Sequence, residues 1–327
     1  MIKKIIILWC ILLFTTSCNS YTELSDLGIT SMLGIDYQNG EFIVYASIIA
    51  DRENEEDKEE TKAYHATGKT LEEAFENIYI QNSKKIYLSH MNLLVITENV
   101  MDQQLTTMIK HFLTNNEYRN NFQIVAIKDN LDKLFNQEIT AEEINKLITI
   151  NKEESGTTRS IDFETFLKDI LIDHNTILPT IKLEDTVSIE GFTLIKEYKT
   201  YETLSNDEAI LYNFLSDEIE KTSFHGITVY ENETVISTKK NSIEITITST
   251  IDTQPELYQK ELKKALLNLL TTYQQKHYDL LKLEHKIYQN NYSYYKKTKD
   301  ILSKLKFNIE IYPTVKNNYL EKVIIDE

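Results

Sequence analysis

Apolar residues recur along this chain in three rhythms, and each marks a different kind of segment. An unbroken apolar run, Ile5 to Phe14, follows Met1-Ile2-Lys3-Lys4 and precedes Thr15-Thr16-Ser17-Cys18. Strict alternation appears in Ile243-Glu244-Ile245-Thr246-Ile247-Thr248, the pattern of a strand with one buried and one wet face. Helical spacing appears in Leu71, Ala74, Phe75 and Ile78, and in Leu105, Met108, Ile109 and Phe112. It returns in Leu262, Ala265, Leu266, Leu269, Leu270 and Tyr273. Residues three and four apart lie on one helix face, so each set predicts a helix packed along a stripe.

Turn and cap residues punctuate these rhythms. Ile29–Tyr37 and Phe42–Ala50 flank Asn39-Gly40, a type I′ turn pair, and predict a hairpin. Thr70 with Glu73, Thr140 with Glu143 and Ser205 with Glu208 each carry the capping-box spacing. The second helix so opened is expected to end near Ile150 and the third near Glu220. Lys85–Thr97 and Phe122–Ile127 read as strands, Asn99–Leu113 and Phe163–Ile172 as helices. Gly156–Ser160 and Leu178-Pro179 read as breaks, and Val187–Glu197 as a hairpin around Gly191. Gly226–Ile251 is strand-dense. Thr253-Gln254-Pro255-Glu256 opens a long helix, with Pro255 tolerated in its first turn. Helical spacing continues with interruptions to Leu305, and Phe307–Ile311 closes the chain as a strand. Strands followed by helices predict an α/β (α+β) protein of mixed sheets flanked by helices. The expected division is a leader at 1–17 and domains at 18–137, 138–222 and 223–327.

The first apolar run fits a secretory signal peptide: positive charge, apolar core, small residues, cut. Its length of ten residues is half of the roughly twenty that span a bilayer. Thr16-Ser17-Cys18 resembles a bacterial lipobox, in which the cysteine thiol takes a diacylglycerol before cleavage. Thr15 stands where that pattern prefers leucine, and the rival reading is a plain secretory leader with a chance cysteine. Cys10 and Cys18 are the only cysteines, and Cys10 would leave with the leader. A single leftover cysteine in a secreted chain calls for an explanation, which lipidation of Cys18 supplies. A disulfide framework and cysteine zinc sites are excluded on the same count. The expectation is a protein held on the extracytoplasmic face of a membrane by lipid on Cys18. Two acyl chains anchor stably where one binds only marginally.

Charge narrows the partners. Removing Lys3 and Lys4 leaves 33 basic against 51 acidic residues, a net charge of −18. Such a surface repels nucleic acid and anionic headgroups, so membrane contact is expected through the lipid rather than a basic patch. Asp51–Lys62 is almost all charge and reads as a solvated loop. It lacks the spaced oxygen ligands and central glycine of a calcium loop.

Four constellations carry candidate chemistry. Ala63-Tyr64-His65-Ala66-Thr67-Gly68-Lys69-Thr70 fits the loose phosphate-loop pattern. Its interior holds Tyr64 and His65 and an acidic stretch precedes it, so a strand, a turn and the Thr70 cap are expected instead. His277 and His285 lie eight apart on one helical stretch, two turns from each other, too far to share a metal unaided. Ser89 and His90 would form a nucleophile–base pair only with a third residue orienting the histidine, and strand neighbours point to opposite faces. Tyr288, Tyr292, Tyr294 and Tyr295, interleaved with Lys286, Lys296 and Lys297, suit either a partner surface or an ordinary amphipathic face. No catalytic, metal or cofactor site is expected, and the chain is not read as an enzyme.

Several blocks in one order carry a family likeness. Cys18 is followed by Tyr21-Thr22-Glu23-Leu24-Ser25-Asp26-Leu27-Gly28-Ile29 and Leu33-Gly34-Ile35-Asp36. Then come Gly68-Lys69-Thr70-Leu71-Glu72-Glu73-Ala74 and Lys85-Ile86-Tyr87-Leu88-Ser89-His90-Met91-Asn92-Leu93-Leu94-Val95-Ile96. Ile177-Leu178-Pro179-Thr180-Ile181, Gly191-Phe192-Thr193-Leu194-Ile195-Lys196 and Leu204-Ser205-Asn206-Asp207-Glu208 complete the series. Over most of residues 18 to 210 this resembles the C-subunit lipoproteins of spore germinant receptors, the Ger(x)C family. Asn19 departs from that family's aromatic residue after the lipid cysteine. Lys282 and Glu284 stand near Asp279-Leu280-Leu281, where the family tends to place glycines.

The resemblance implies a three-domain protein on the outer face of the spore inner membrane, if the host sporulates. It implies A and B receptor subunits, both integral membrane proteins, as partners. The role implied is non-catalytic, in assembly or signalling, with nutrient binding assigned mainly to the other subunits. Two rivals stand beside it. A lipid-anchored extracytoplasmic solute-binding protein would need two similar lobes around a cleft, and no duplicated lobe is visible. An envelope hydrolase would need a constellation stronger than Ser89 and His90.

Overall fold

The computed structural model describes residues 27–49, 61–81, 85–115, 117–137 and 139–316. The leader, Cys18 and residues 51–60 of the acidic stretch therefore lie outside the described residues.

The first hairpin forms as its turn demands. β1 (Leu27–Gln38) and β2 (Glu41–Ile49) pair antiparallel with Gln38 opposite Glu41, and Asn39 and Gly40 both take positive φ (54° and 86°). β3 (Thr61–Gly68) adds to β2, and α1 (Leu71–Gln81) packs Leu71, Ala74, Phe75 and Ile78 inward. β4 (Lys85–Tyr87) and β5 (Leu93–Thr97) both run parallel to β1, one after the other. α2 (Glu98–Gln103) and α3 (Leu105–Thr114) lead to β6 (Gln123–Ile127). α4 (Leu131–Asn136), α5 (Ala141–Ser155) and α6 (Phe163–Asp173) lead to β7 (Asn175–Leu183). β8 (Val187–Lys196) and β9 (Lys199–Leu204) then fold back antiparallel. The result is one nine-stranded sheet in the order β3-β2-β1-β5-β6-β7-β8-β9, with β4 beside β1.

Its middle strands are apolar on both faces because both faces are covered. Leu94 and Ile96 of β5 and Ile124 and Ala126 of β6 join the large core under α1, α3 and α6. Leu93 and Val95, with Val125 and Ile127, face the second core under α4 and α5. Asp36, buried at the end of β1, locks β1 to β5. Its carboxylate accepts hydrogen bonds from the Thr97 hydroxyl (2.5 Å), the Tyr37 amide (2.7 Å) and the Gln38 side chain (2.6 Å). Buried His111 joins α3 to α1. Its ring stacks on Phe75 at 4.9 Å, and its nitrogens lie 3.2 Å from a Glu72 oxygen and 3.1 Å from the Tyr118 hydroxyl.

The C-terminal third forms a second sheet. α7 (Asn206–Leu215) starts at the Ser205–Glu208 capping box and leads to β10 (Thr222–Phe224), β11 (Ile227–Lys239) and β12 (Ser242–Ile251). α8 (Pro255–Gln275), α9 (Leu283–Asn290) and α10 (Tyr292–Lys297) precede β13 (Lys306–Val315), which pairs parallel with β12. Ile243, Ile245, Ile247 and Ile251 are buried, whereas Glu244 and Thr248 on the other face are exposed. Tyr258, Leu262, Leu266 and Leu270 of α8 belong to the same large core, which runs without a break into the first sheet. The chain is thus mixed α/β, as its alternation of elements predicts. The expected boundary at 137 falls between β6 and β7, which are neighbours in one sheet, and that at 222 falls at the start of β10.

The structure corrects several elements. Leu178-Pro179 is no break but lies inside β7, beside a register shift where a missing N–H is tolerated. Val187–Glu197 is not a hairpin around Gly191 but the single strand β8. From Pro179 to Ile181 β7 advances two residues while β8 advances three, from Phe192 to Ile189, so Gly191 sits in a one-residue bulge at φ 63°. Lys85–Thr97 is two strands rather than one. α5 continues past Ile150 to Ser155, where Gly156 ends it in the left-handed region, and α7 stops at Leu215 instead of Glu220.

Gly191 combines two constraints, a left-handed φ and a carbonyl of Leu204 only 2.1 Å from where a Cβ would stand. Gly40 has the positive φ (86°) with open space around it. Gly191→Ala is therefore expected to cost about 3 kcal/mol or more, against about 1 kcal/mol for Gly40→Ala. Urea unfolding of both variants checks the order; equal losses would contradict the bulge reading.

Candidate functional site

Where α6 turns into β7, the chain reverses within one residue. His174 ends α6 in the left-handed region (φ 56°), and β7 begins at Asn175. The segment after α8, residues 276–282, docks on this spot. The Asn175 side-chain amide donates to the Asp279 carbonyl (3.1 Å). The buried Tyr278 hydroxyl lies 2.9 Å from the Thr176 carbonyl and 3.3 Å from that of Ile195, the cross-strand neighbour of Thr176. Burial holds the Tyr278 hydroxyl well above the usual phenol range, so it stays a donor. Tyr201 stacks on Tyr278 at 5.1 Å and gives its own hydroxyl to the Lys276 carbonyl (2.7 Å). Lys196 donates to the His277 carbonyl (2.7 Å), placing a cation at the C-terminal end of α8, where the helix dipole favours it.

A charged cluster fills the next layer. Lys282 bridges Asp169 and Asp173 on α6, the latter at 3.8 Å, and His285 lies 3.4 Å from Asp173. Burial pushes the Asp173 carboxyl up, and Lys282 and His285 pull against it. Lys282 takes φ 55°, a left-handed backbone of the kind glycine favours. Asp279 caps α9 by accepting from the amides of Leu283 and Glu284, both at 2.8 Å. Burial pushes its carboxyl up to about 6, against those two amides, which lower it. Burial likewise lowers Lys286.

Two clefts open on this junction, of about 330 and 460 Å³, and share Ile172, Asp173 and His285 as walls. His277, Glu197 and Tyr288 line the first; Arg159, Tyr212 and Lys286 line the second. Tyr288 stands half exposed on the rim of the first cleft, edge to face with half-exposed Tyr292 at 5.5 Å and 5.3 Å from Tyr295.

The structure separates the sequence-derived candidates. His277 and His285 both open on the first cleft, but His277 faces Asp300 (4.0 Å) and His285 faces Asp173. Among the described residues no group of three or more His, Cys, Asp or Glu side chains is arranged to hold a metal ion. The Ser89 hydroxyl donates to the Glu117 carbonyl (2.8 Å), and the His90 ring packs 5.5 Å from Tyr87. In the phosphate-loop-like segment the Thr70 hydroxyl takes the Glu73 amide (3.2 Å), and the Glu73 carboxylate takes the Lys69 amide (2.8 Å). Gly68 is pressed against the backbone of Ala74, 2.4 Å from where a Cβ would stand. Tyr294 and Tyr295 pack partly inward whereas Tyr288 and Tyr292 face out, so the tyrosine cluster divides between core and surface. Cys18 lies outside the described residues. The pairing of Asp169 and Asp173 with Lys282 and His285 was not foreseen; these residues are about a hundred positions apart and share no local motif.

Comparison with known proteins gives three results. A family profile described as "Spore germination protein N-terminal domain" matches residues 20–183, which include the α6–β7 side of the junction but not Tyr278. Spore germination protein KC of Bacillus subtilis (strain 168) is 24% identical over 208 residues, 59% of this chain. That match spans 49% of the relative, about half its length. The crystal structure of the GerBC protein superposes with a TM-score of 0.52 at 16% identity, covering 87% of this chain and 97% of that one, a likeness of fold.

Raised from 3.8 to about 6, the Asp279 carboxyl binds a proton more tightly folded than unfolded. Stability from this group therefore falls as pH rises from about 4 to 6, and the penalty is fully present above that window. Its size is about 2–3 kcal/mol. Asp279→Asn is expected to remove that slope, measured as the change in urea unfolding free energy between pH 4 and pH 7. An unchanged slope would show that Asp279 is not the group responsible.

Proposed function

The chain belongs to the family of spore germination proteins that share this N-terminal domain, and on that premise we propose that it is a membrane-tethered, non-catalytic subunit of a nutrient germinant receptor. Its role is in assembly or signalling beside integral-membrane A and B subunits. The observation that carries the reading is the start of the family match at residue 20, two residues after the lipobox-like Thr16-Ser17-Cys18. A diacylglycerol on Cys18 then holds the folded body on the extracytoplasmic face, at the spore inner membrane in a sporulating host. Support comes from the body itself: among the described residues no helix is long and apolar enough to cross a membrane. β1 begins at Leu27, nine residues after Cys18.

The non-catalytic reading is supported by how the polar groups of the junction are used. Asp169, Asp173, Lys282 and His285 pair with one another, and Tyr278 and Asp279 bond the backbone. Such groups hold parts together. The paired clefts favour one second reading, a lipid-anchored solute-binding protein, which predicts saturable nutrient uptake by the isolated chain in equilibrium dialysis.

In a spore-forming host, spores lacking the gene and spores carrying Cys18→Ala are expected to fail with nutrients. Both should respond to a trigger that bypasses nutrient receptors. Normal germination of the deletion strain with every nutrient, in a background without other receptors, would overturn the proposal.

A further inference from the structure

The chain is acidic overall, yet its lysines are not spread evenly. Residues 285–306 hold six lysines and a single acid, Asp300, in a protein of net charge −16. The fold brings two more to the same surface, Lys239 and Lys240 at the tip of the β11–β12 hairpin. The Asn290 side chain at the end of α9 donates to the Thr238 hydroxyl (3.1 Å). The Lys306 amide donates to the Asn241 carbonyl (2.8 Å), and the Asn241 side chain to the Lys304 carbonyl (3.2 Å). Lys304 reaches the Lys299 carbonyl (2.7 Å). Lys296, Lys297 and Lys299 are exposed, and among the described residues no carboxylate lies within ion-pair distance of them. Half-exposed apolar groups are interleaved: Tyr288 and Tyr292 on the same helices, and Ile172 on α6 at the neighbouring cleft.

The position of this face relative to the chain's entry point distinguishes its partner. β1, β5, β6 and β7 run parallel, so their first residues lie at one end of the sheet. β7 starts at Asn175, which bonds Asp279 and lines the cleft that Tyr288 rims. β1 starts at Leu27, three strands away, about 14 Å at ~4.8 Å per strand. Nine residues separate Leu27 from Cys18 and reach no more than about 30 Å. A lipid on Cys18 therefore keeps this end of the sheet beside the bilayer. Acids elsewhere on the body are screened beyond about 8 Å at physiological salt. Lysine stems and tyrosine rings suit the headgroup region, each with an apolar body and a polar tip.

We propose that the lysine–tyrosine face of α9, α10 and the β11–β12 hairpin tip docks on anionic phospholipid headgroups. It lays the tethered body on the membrane in one orientation. The orientation rests on the Cys18 tether; the affinity for an anionic surface does not. Net composition conceals this face, because the chain's 51 acids outweigh its 35 basic residues.

The test uses residues 18–327 with Cys18→Ser, so that no lipid contributes. Its co-sedimentation is measured with vesicles of phosphatidylcholine alone and of phosphatidylcholine with phosphatidylglycerol, at low and high salt. Binding is expected only to the anionic vesicles and is expected to vanish at high salt. Lys296→Glu with Lys297→Glu should weaken it roughly tenfold or more. Lys260→Glu with Lys263→Glu, on the far half of α8, should leave it unchanged, and circular dichroism should show both variants folded. Absence of binding to anionic vesicles, equal binding to neutral ones, or equal loss in both variants would overturn the proposal. So would a patch that captures a purified acidic protein but no vesicle. A failed tether leaves this binding intact, and failure of this binding leaves the germination result intact.

Discussion

The Tyr278 hydroxyl reaches the carbonyls of Thr176 and Ile195, 2.9 and 3.3 Å away, inside the boundary between the two sheets. Both carbonyls belong to paired residues at the end of β7 and β8, and the phenol ring is buried. Leaving a buried donor or acceptor unmatched costs about 1–3 kcal/mol, so the C-terminal third cannot slide along the sheet end without loss. What surrounds the latch follows from it. Residues 276–282 must turn sharply to present Tyr278, and both His277 and Lys282 take left-handed backbone (φ 54° and 55°). Lys282 is held there by Asp169 and Asp173, and Asp279 uses the same turn to start α9.

This docking determines what the sheet end exposes. With α8 pinned at its C-terminal end, α9 and α10 lie beside the α6–β7 turn, and the clefts open between them. The continuous apolar core on one side and the ionic layer on the other make the two sheets one body. β1, the first described strand, begins at Leu27, on the end of the sheet where the junction lies. A tether and a docking face on one end would hold the protein in one orientation at a membrane surface.

Much of the fold was legible because it is locally encoded. Asn39-Gly40, the caps at Thr140 and Ser205, and the stripes of α1 and α3 appear where their residues require them. The errors arose where tertiary context overrides a local signal. Gly191 reads as a turn but makes a bulge, and Pro179 reads as a breaker but sits beside a register shift. The junction was illegible for a different reason. Tyr278 meets Thr176 and Lys282 meets Asp169 across about a hundred residues, and neither pair leaves a spacing pattern. The sequence did mark this stretch: Lys282 departs from the glycines expected nearby, and the backbone there is left-handed. Part of the lysine face was marked in the sequence, as Lys286, Lys296 and Lys297 among four tyrosines; that Lys239 and Lys240 join it was not, because the β11–β12 hairpin tip meets α9 only in the fold.

The central claim is a folded body held to a membrane by a lipid on Cys18 beside this end of the sheet. Its most direct test is mass spectrometry of the N-terminal peptide of the protein recovered from the membrane fraction of a lipoprotein-processing bacterium. The account predicts a mature chain beginning at Cys18 with a diacylglycerol on its sulfur. An unmodified Cys18, or a chain that continues through residues 1–17, would contradict it.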